Sequence, residues 1–189
     1  MCTEIRLESS RGEPIRSTDD WLRYAPPYGG IEQWKDGRSA KELAKAWMRP
    51  TVPAEFRALF ETHELTRGVM MTCAWPEVKI PLDDFAGEQR NSDLVVLAHG
   101  KAINILITVE AKADEEFGKL IGEYYESKRN CSSNVCARID HLLKEVFGRE
   151  LDGELSKLRY QLLTGFAGTV IEAGKQKAGG KPNSTYILC

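Results

Sequence analysis

Asn91-Ser92-Asp93-Leu94-Val95-Val96-Leu97-Ala98-His99-Gly100-Lys101-Ala102-Ile103-Asn104-Ile105-Leu106-Ile107-Thr108-Val109-Glu110-Ala111-Lys112-Ala113-Asp114-Glu115-Glu116-Phe117-Gly118 contains two apolar runs, each with an acid at one end. The first, Leu94 to Ala98, is short, continuous and bounded by polar residues, as a strand buried on both faces should be. The second alternates: Ile103, Ile105, Ile107 and Val109 take one parity, and Asn104, Leu106, Thr108, Glu110 and Lys112 take the other. That period of two predicts a second strand. His99-Gly100-Lys101 is the natural turn between them.

An antiparallel hairpin centred near Lys101 makes Asp93 and Glu110 cross-strand neighbours, with Lys112 one pleat beyond Glu110 on the same face. Adjacent carboxylates repel unless a cation or a proton lies between them. Hard oxygen ligands suit Mg²⁺ or Mn²⁺, and the carbonyl of Ala111 offers a further oxygen. The structural alternative is that Asp93 caps a strand and that Glu110 and Lys112 form a same-face ion pair where the chain leaves the core. Because 29% of the residues are charged, an Asp and a Glu-x-Lys at this spacing arise easily by chance. Their place at the ends of two apolar strands is what gives the pattern weight.

An acid opening one strand, followed by Glu-x-Lys closing the next, resembles the PD-(D/E)xK nuclease-like superfamily, with Asp93, Glu110 and Lys112 in the three motif positions. Ser92 stands where the superfamily's name has proline. Trp34 to Trp47, Pro76 to Asp93, Val109 to Gly118 and Arg159 to Leu163 more closely resemble a bacterial family of uncharacterised function within it. This chain has Glu110-Ala111-Lys112 where that family usually has Glu-Gly-Lys, and Thr164-Gly165 where it usually has a basic residue. The resemblance implies a restriction-endonuclease-like α/β fold, a central mixed sheet flanked by helices. It also implies metal-dependent hydrolysis of nucleic-acid phosphodiesters, with DNA the favoured substrate. Asp93, Glu110 and the Ala111 carbonyl are then the Mg²⁺ (or Mn²⁺) ligands, and Lys112 steadies the attacking water and the developing charge. The alternative is a catalytically inactive binding or structural module on the same fold.

The rest of the chain sets bounds on these expectations. A length of 189 residues, 42% of them hydrophobic, suggests one domain with a substantial core. Residues 1–38 read as an arm or linker and 39–189 as the domain, and the resemblance implies that a C-terminal portion follows the last strand in the family. No apolar run approaches the ~18 residues of a membrane span, and the N-terminus lacks the basic and apolar sections of a signal peptide, so a cytoplasmic protein without membrane contact is expected. Five cysteines at irregular spacing, Cys131 and Cys136 included, read as free thiols. The net charge of −2 is uneven: from Lys157 onward five basic residues face one acid, a net +4 that leaves −6 elsewhere. That C-terminal face could track phosphates or simply be solvated.

Element by element, Pro26-Pro27 and Gly29-Gly30 make residues 1–30 irregular, packing through Trp21, Tyr24 and Tyr28. Ser39-Ala40-Lys41-Glu42 is a capping-box pattern for a helix ending near Met48. A second helix follows Pro53, carrying Phe56, Leu59, Phe60 and His63 at helical spacing. Glu64 falls on its apolar stripe and is a candidate third metal ligand, or else a wet residue beyond a frayed end. Residues 68–85 predict one strand or two short ones, interrupted at Pro76. Glu77 there competes with Glu64 for the third acidic position, and Glu88, in a polar loop, is a weaker contender. Asp114-Glu115-Glu116 either repel substrate phosphate or face water. Helices are expected over about 120–128 and 135–147, the latter ending at Gly148. A long helix over about 154–173 is expected to bury Leu155, Leu158, Leu162, Phe166, Thr169 and Val170. Gln161 on it either reaches the site, orienting water or phosphate, or bonds helix to sheet. Ser184 to Cys189 reads as a final strand, whose exposed edge could pair two copies as a homodimer.

Overall fold

The computed structural model describes residues 5–49, 51–100, 103–178 and 184–188, with 176–178 and 184–188 described by their backbone alone. The hairpin that opened the sequence reading is the centre of the sheet. Strand β3 (Arg90–His99) pairs antiparallel with β4 (Asn104–Val109), in a register running from Leu94 opposite Val109 to His99 opposite Asn104. The Gly100 N–H donates to the Ile103 carbonyl to close the turn; Lys101, its proposed centre, lies outside the described residues. Leu94, Val96, Ala98, Ile105 and Ile107 bury one face of this pair, and Val95 and Leu106 the other.

Three further strands complete a mixed sheet of order β1-β2-β3-β4-β5. Strand β2 (Met70–Ile80) is antiparallel to β3 and runs unbroken through Pro76. Proline is tolerated there because β1 (Arg6–Leu7) covers β2 only at Cys73 and Ala74, which leaves Pro76 on an open edge. Strand β5 (Ser184–Leu188) lies parallel to β4. Both parallel pairs need crossovers, and helices supply them.

The first crossover, α1 (Thr18–Tyr24), α2 (Ser39–Trp47) and α3 (Ala54–Glu61), covers one face through Trp21, Ala44, Trp47 and Phe60. Leu7, Ile15, Trp21 and Ala25 from the N-terminal stretch join the same buried cluster. The expected irregular stretch over 1–30 is corrected by β1 and α1. The Ser17 hydroxyl accepts from the Asp20 N–H to start α1, and Trp21, 1% exposed, anchors it. Tyr28, in contrast, is 61% exposed. The capping box at Ser39 is also corrected: the Ser39 hydroxyl donates to Glu115 at 2.7 Å, while Glu42 reaches back to the Gly37 N–H. A tertiary acceptor has taken the hydroxyl from its own helix.

The second crossover, α4 (Ile121–Lys128), α5 (Val135–Phe147) and α6 (Tyr160–Ala178), covers the opposite face. Helix α5 ends at Gly148 in the left-handed conformation, as expected. The long final helix begins later than its pattern suggested. Leu155–Lys157 is a short 3₁₀ turn, Leu158 is extended, and Arg159 bridges to Leu120, so α6 starts at Tyr160.

Leu155 and Thr169 are buried as expected, and the rest of the buried face is displaced by about one residue from the expected stripe. Leu163, Thr164, Ala167, Thr169 and Ala173 are inside, whereas Leu158, Leu162 and Phe166 are 39–40% exposed. Close packing explains the choice, because α6 presents its small residues to the sheet. A Cβ on Gly168 would stand 3.3 Å from Leu82 and 3.4 Å from Ile80 side-chain carbons. Gly168→Val is therefore expected to cost about 1–3 kcal/mol by overpacking, read as a lower urea midpoint with an unchanged slope.

Among the described residues, Cys73, Cys131 and Cys136 are free thiols, and no helix is long and apolar enough to cross a membrane.

Candidate functional site

The β3–β4 register that ends at Leu94 and Val109 sets Asp93 beside Glu110 one step further out. On the other side, Pro76 opposite Leu94 and Val78 opposite Ser92 bracket Glu77 opposite Asp93. Three acids thus stand in a row, Glu77 on β2, Asp93 on β3 and Glu110 immediately after β4. Asp93 shares parity with Val95, and Glu110 with Thr108, whose hydroxyl bonds Thr169 of α6. Both carboxylates therefore belong to the face that α6 covers. Glu77 has φ +51°, the one positive value among the described non-glycine residues. Such a conformation costs free energy in a strand residue, and strain of this kind gathers at functional sites.

The partners of each acid are specific. Arg90 forms an ion pair with Oε2 of Glu110, and both side chains are 7% exposed. The Lys112 ammonium lies 3.0 Å from Oε1 of the same carboxylate. The Ala111 N–H donates to Asp93 Oδ2 at 2.7 Å, and Asn91 donates to Glu77. Ala111 is thus brought to the site, with its N–H as the group in contact. No group of three or more acidic, histidine or cysteine side chains surrounds a common point among the described residues.

Burial and crowding shift the protonation of two of the acids. Burial, opposed by the Asn91 hydrogen bond and aided by the charges of Asp93 and Glu110, pushes Glu77 up to about 7. Burial and the neighbouring Glu110 push Asp93 up to about 6, against the Ala111 N–H and the charges of Lys112 and Arg90. Both values exceed those of the unfolded chain, so the folded protein holds extra protons between about pH 4 and 7. The stabilisation associated with those protons is complete below pH 4 and is lost as pH rises through 6 and 7. Thermal unfolding of metal-free protein should consequently show stability falling between pH 5 and 8, by on the order of 2 kcal/mol. Asp93→Asn should reduce that fall.

The row of acids lies in a cleft of about 650 Å³ whose lining includes Glu77, Lys79, Arg90, Asp93, Glu110, Lys112 and Gln161. Tyr28, Tyr124 and Tyr160 stand on its walls, and the Lys79 ammonium lies 5.8 Å from the centre of the Tyr28 ring. Gln161 faces this space with its Oε1 buried and without a hydrogen-bond partner. The alternative of a helix-to-sheet hydrogen bond through that oxygen is therefore not formed. Gly118, at φ +71°, allows the approach, since a Cβ there would lie 3.3 Å from Gln161 Cγ.

Several expected participants lie elsewhere or play other parts. Glu64 falls in the turn after α3, exposed and outside the cleft lining. Of the two main candidates for the third acid, Glu77 is the one that joins the row, while Glu88 lines the cleft rim from a loop. The cluster at 114–116 is engaged by partners: Asp114 pairs with Arg38 and Glu116 with Arg159, while Glu115 keeps its charge and accepts from the Ser39 hydroxyl. The Ser39 hydroxyl holds Glu115 down to about 2. The C-terminal basic face is partly consumed as well, because Lys157 pairs with Glu154 and Arg159 with Glu116; Lys181 lies outside the described residues.

Sequence reasoning missed Arg90 and Asn91 as partners of the acids. It also missed the buried ion pair of Asp83 with Arg138, which ties the β2–β3 connection to α5. Arg138 donates further to the Glu88 carbonyl at 2.7 Å, fixing the loop that leads into Arg90.

A family model for a domain of unknown function, DUF6946, matches residues 14–181. The chain belongs to this family. The DUF6946 match spans α1 to α6 and so includes all three acids of the row, Lys112 and Gln161, and it crosses residue 38 without interruption. No curated protein and no solved structure matches the chain.

Proposed function

We propose that this DUF6946 protein is a metal-dependent phosphodiesterase of the PD-(D/E)xK nuclease-like kind, acting on nucleic acid, with DNA as the favoured substrate. The observation that carries the reading is the row of Glu77, Asp93 and Glu110 across β2, β3 and the end of β4, with Lys112 beside it, lining a cleft. The mixed sheet flanked by helices on both faces supports the restriction-endonuclease-like assignment.

The donor set suits Mg²⁺ or Mn²⁺ in type, being hard carboxylate oxygens. It suits them in energetics too, because burial, aided by the charge of neighbouring acids, raises the pKa of Glu77 and Asp93, and a bound cation would offset both effects. Asp93 and Glu110 would hold the ion, with the Ala111 carbonyl and Glu77 as further oxygens. Such an ion supplies Lewis-acid polarisation of a phosphoryl oxygen and lowers the pKa of water.

The chain's own residues do the rest. Lys112, 17% exposed and steadied by Glu110, presents a positive charge where a phosphate oxygen gains negative charge. Gln161 offers an unengaged carbonyl oxygen that can accept from a water and orient it. Tyr28, Tyr124 and Tyr160 give bases faces to stack on. Lys112→Met should lower kcat about 10²- to 10³-fold with a smaller change in KM, measured on a labelled oligonucleotide.

A second reading, an inactive binding or structural module, is favoured by one observation: Glu110 already has two cations on it. Incubation of purified protein with single-stranded and duplex DNA and RNA, in Mn²⁺, Mg²⁺ or chelator, separates the two. Cleavage that needs the ion and is lost in Asp93→Asn supports the enzyme; binding without cleavage in every condition supports the module.

A further inference from the structure

Arg90 is a buried cation seated among the acids of the proposed metal centre. Its guanidinium engages Glu110 Oε2, its side chain is 7% exposed, and its Nε is buried without a hydrogen-bond partner. A purely structural arginine in such a place normally has its donors satisfied, because an unmet buried donor is costly. Here the fork is only partly used, and it lines the same cleft as Lys79, Lys112 and Gln161. With Lys112 on Oε1, both oxygens of Glu110 are occupied, and among the described residues the carboxylates do not converge on a common point.

We propose that Arg90 is a built-in substitute for the metal ion, which makes metal entry conditional on a phosphate-bearing ligand. This rests on the metal-centre reading above and adds regulation to it. In the resting protein the guanidinium occupies Glu110 and opposes a second cation by competition and by charge. A phosphate entering the cleft offers the fork a better match, two oxygens for paired N–H donors, and the spare Nε–H gives a further donor to direct at it. Once Arg90 turns to the phosphate, Glu110 is released beside Asp93 as a ligand, and the incoming ion neutralises both carboxylate and phosphate. Metal and phosphate thereby bind with positive coupling, each raising the affinity for the other by the same factor.

Calorimetric titration of Mn²⁺ at pH 7.5 into wild type, Arg90→Gln and Arg90→Met tests this, each alone and with thymidine 5′-monophosphate, a monoester that a phosphodiesterase does not consume. Unphosphorylated thymidine is the control ligand. Wild type should bind Mn²⁺ at least ten-fold more tightly with the monophosphate than with thymidine. Both variants should bind Mn²⁺ alone at least ten-fold more tightly than wild type, with less than two-fold further gain from the monophosphate.

Variants matching wild type within two-fold, while all three bind Mn²⁺, would overturn the gating role and leave the metal centre standing. No Mn²⁺ binding by any folded protein in any condition would overturn both. Arg90→Met replaces the buried ion with an apolar chain of similar length beside Ile80 and Leu82, so it guards against a misfolded Arg90→Gln. If neither variant gives a cooperative thermal transition, Arg90 is a structural residue and the proposal fails.

Discussion

Glu110→Ala is expected to lower folding stability by about 3–5 kcal/mol, because it leaves the Arg90 guanidinium buried with its counter-charge gone. A ligand at an open site could be removed without harm to the fold, but here the buried ion pair ties ligand to scaffold. The structure points to a different experiment. The same substitution made with Arg90→Met removes both charges, and should recover most of the loss by matching the polarity of the two positions. Urea unfolding of wild type, both single variants and the double variant gives the coupling directly. A coupling near zero would mean that solvent reaches the pair and that Arg90 needs no partner. The result also governs interpretation, since loss of activity in Glu110→Ala conflates a missing ligand with a damaged centre.

Asp93→Asn should behave in the opposite way. Burial and the Glu110 charge already hold the Asp93 carboxyl up to about 6, so at pH 8 its ionised form is a liability to the fold. An amide keeps an oxygen to accept from the Ala111 N–H and removes the repulsion. Stability at pH 8 should be unchanged or rise by on the order of 1 kcal/mol, while metal-dependent cleavage falls by about 10³-fold or more. Stability and activity moving in opposite directions is the signature of a group retained for function. A destabilised variant with intact cleavage would assign Asp93 to the scaffold.

Much of the fold was legible because its signals are local. The continuous Leu94 to Ala98 run and the alternation from Ile103 to Val109 fix two neighbouring strands and, through a short turn, their register. That register alone places Asp93 against Glu110. Gly148 likewise marks the end of α5, since the left-handed conformation it adopts excludes most other residues. The misreadings involve choices that distant partners decide. Ser39 has the pattern of a helix cap, but Glu115, 76 positions away, takes its hydroxyl. Leu162 and Phe166 have the hydrophobicity of a buried stripe, yet the narrow gap above Ile80 and Leu82 admits Gly168 and Ala167 instead.

Within the site, Glu77 was legible only as one of three contenders. What distinguishes it is a backbone twist in β2 and a position opposite Asp93, and neither leaves a mark in composition. Glu64 was plausible because helical periodicity extended to it; the helix stops three residues earlier, at Glu61. Arg90 left no signal at all. It is the first residue of β3, next to a polar loop, and its meaning comes from Glu110, 20 residues further along the chain.

The most direct measurement is the anomalous scattering of manganese from crystals grown with Mn²⁺ and thymidine 5′-monophosphate. The expected result is a single strong peak between the carboxylates of Asp93 and Glu110, with the Arg90 guanidinium turned onto the phosphate. A map without manganese in the cleft, with Arg90 still seated on Glu110 and the nucleotide absent or elsewhere, would contradict the account.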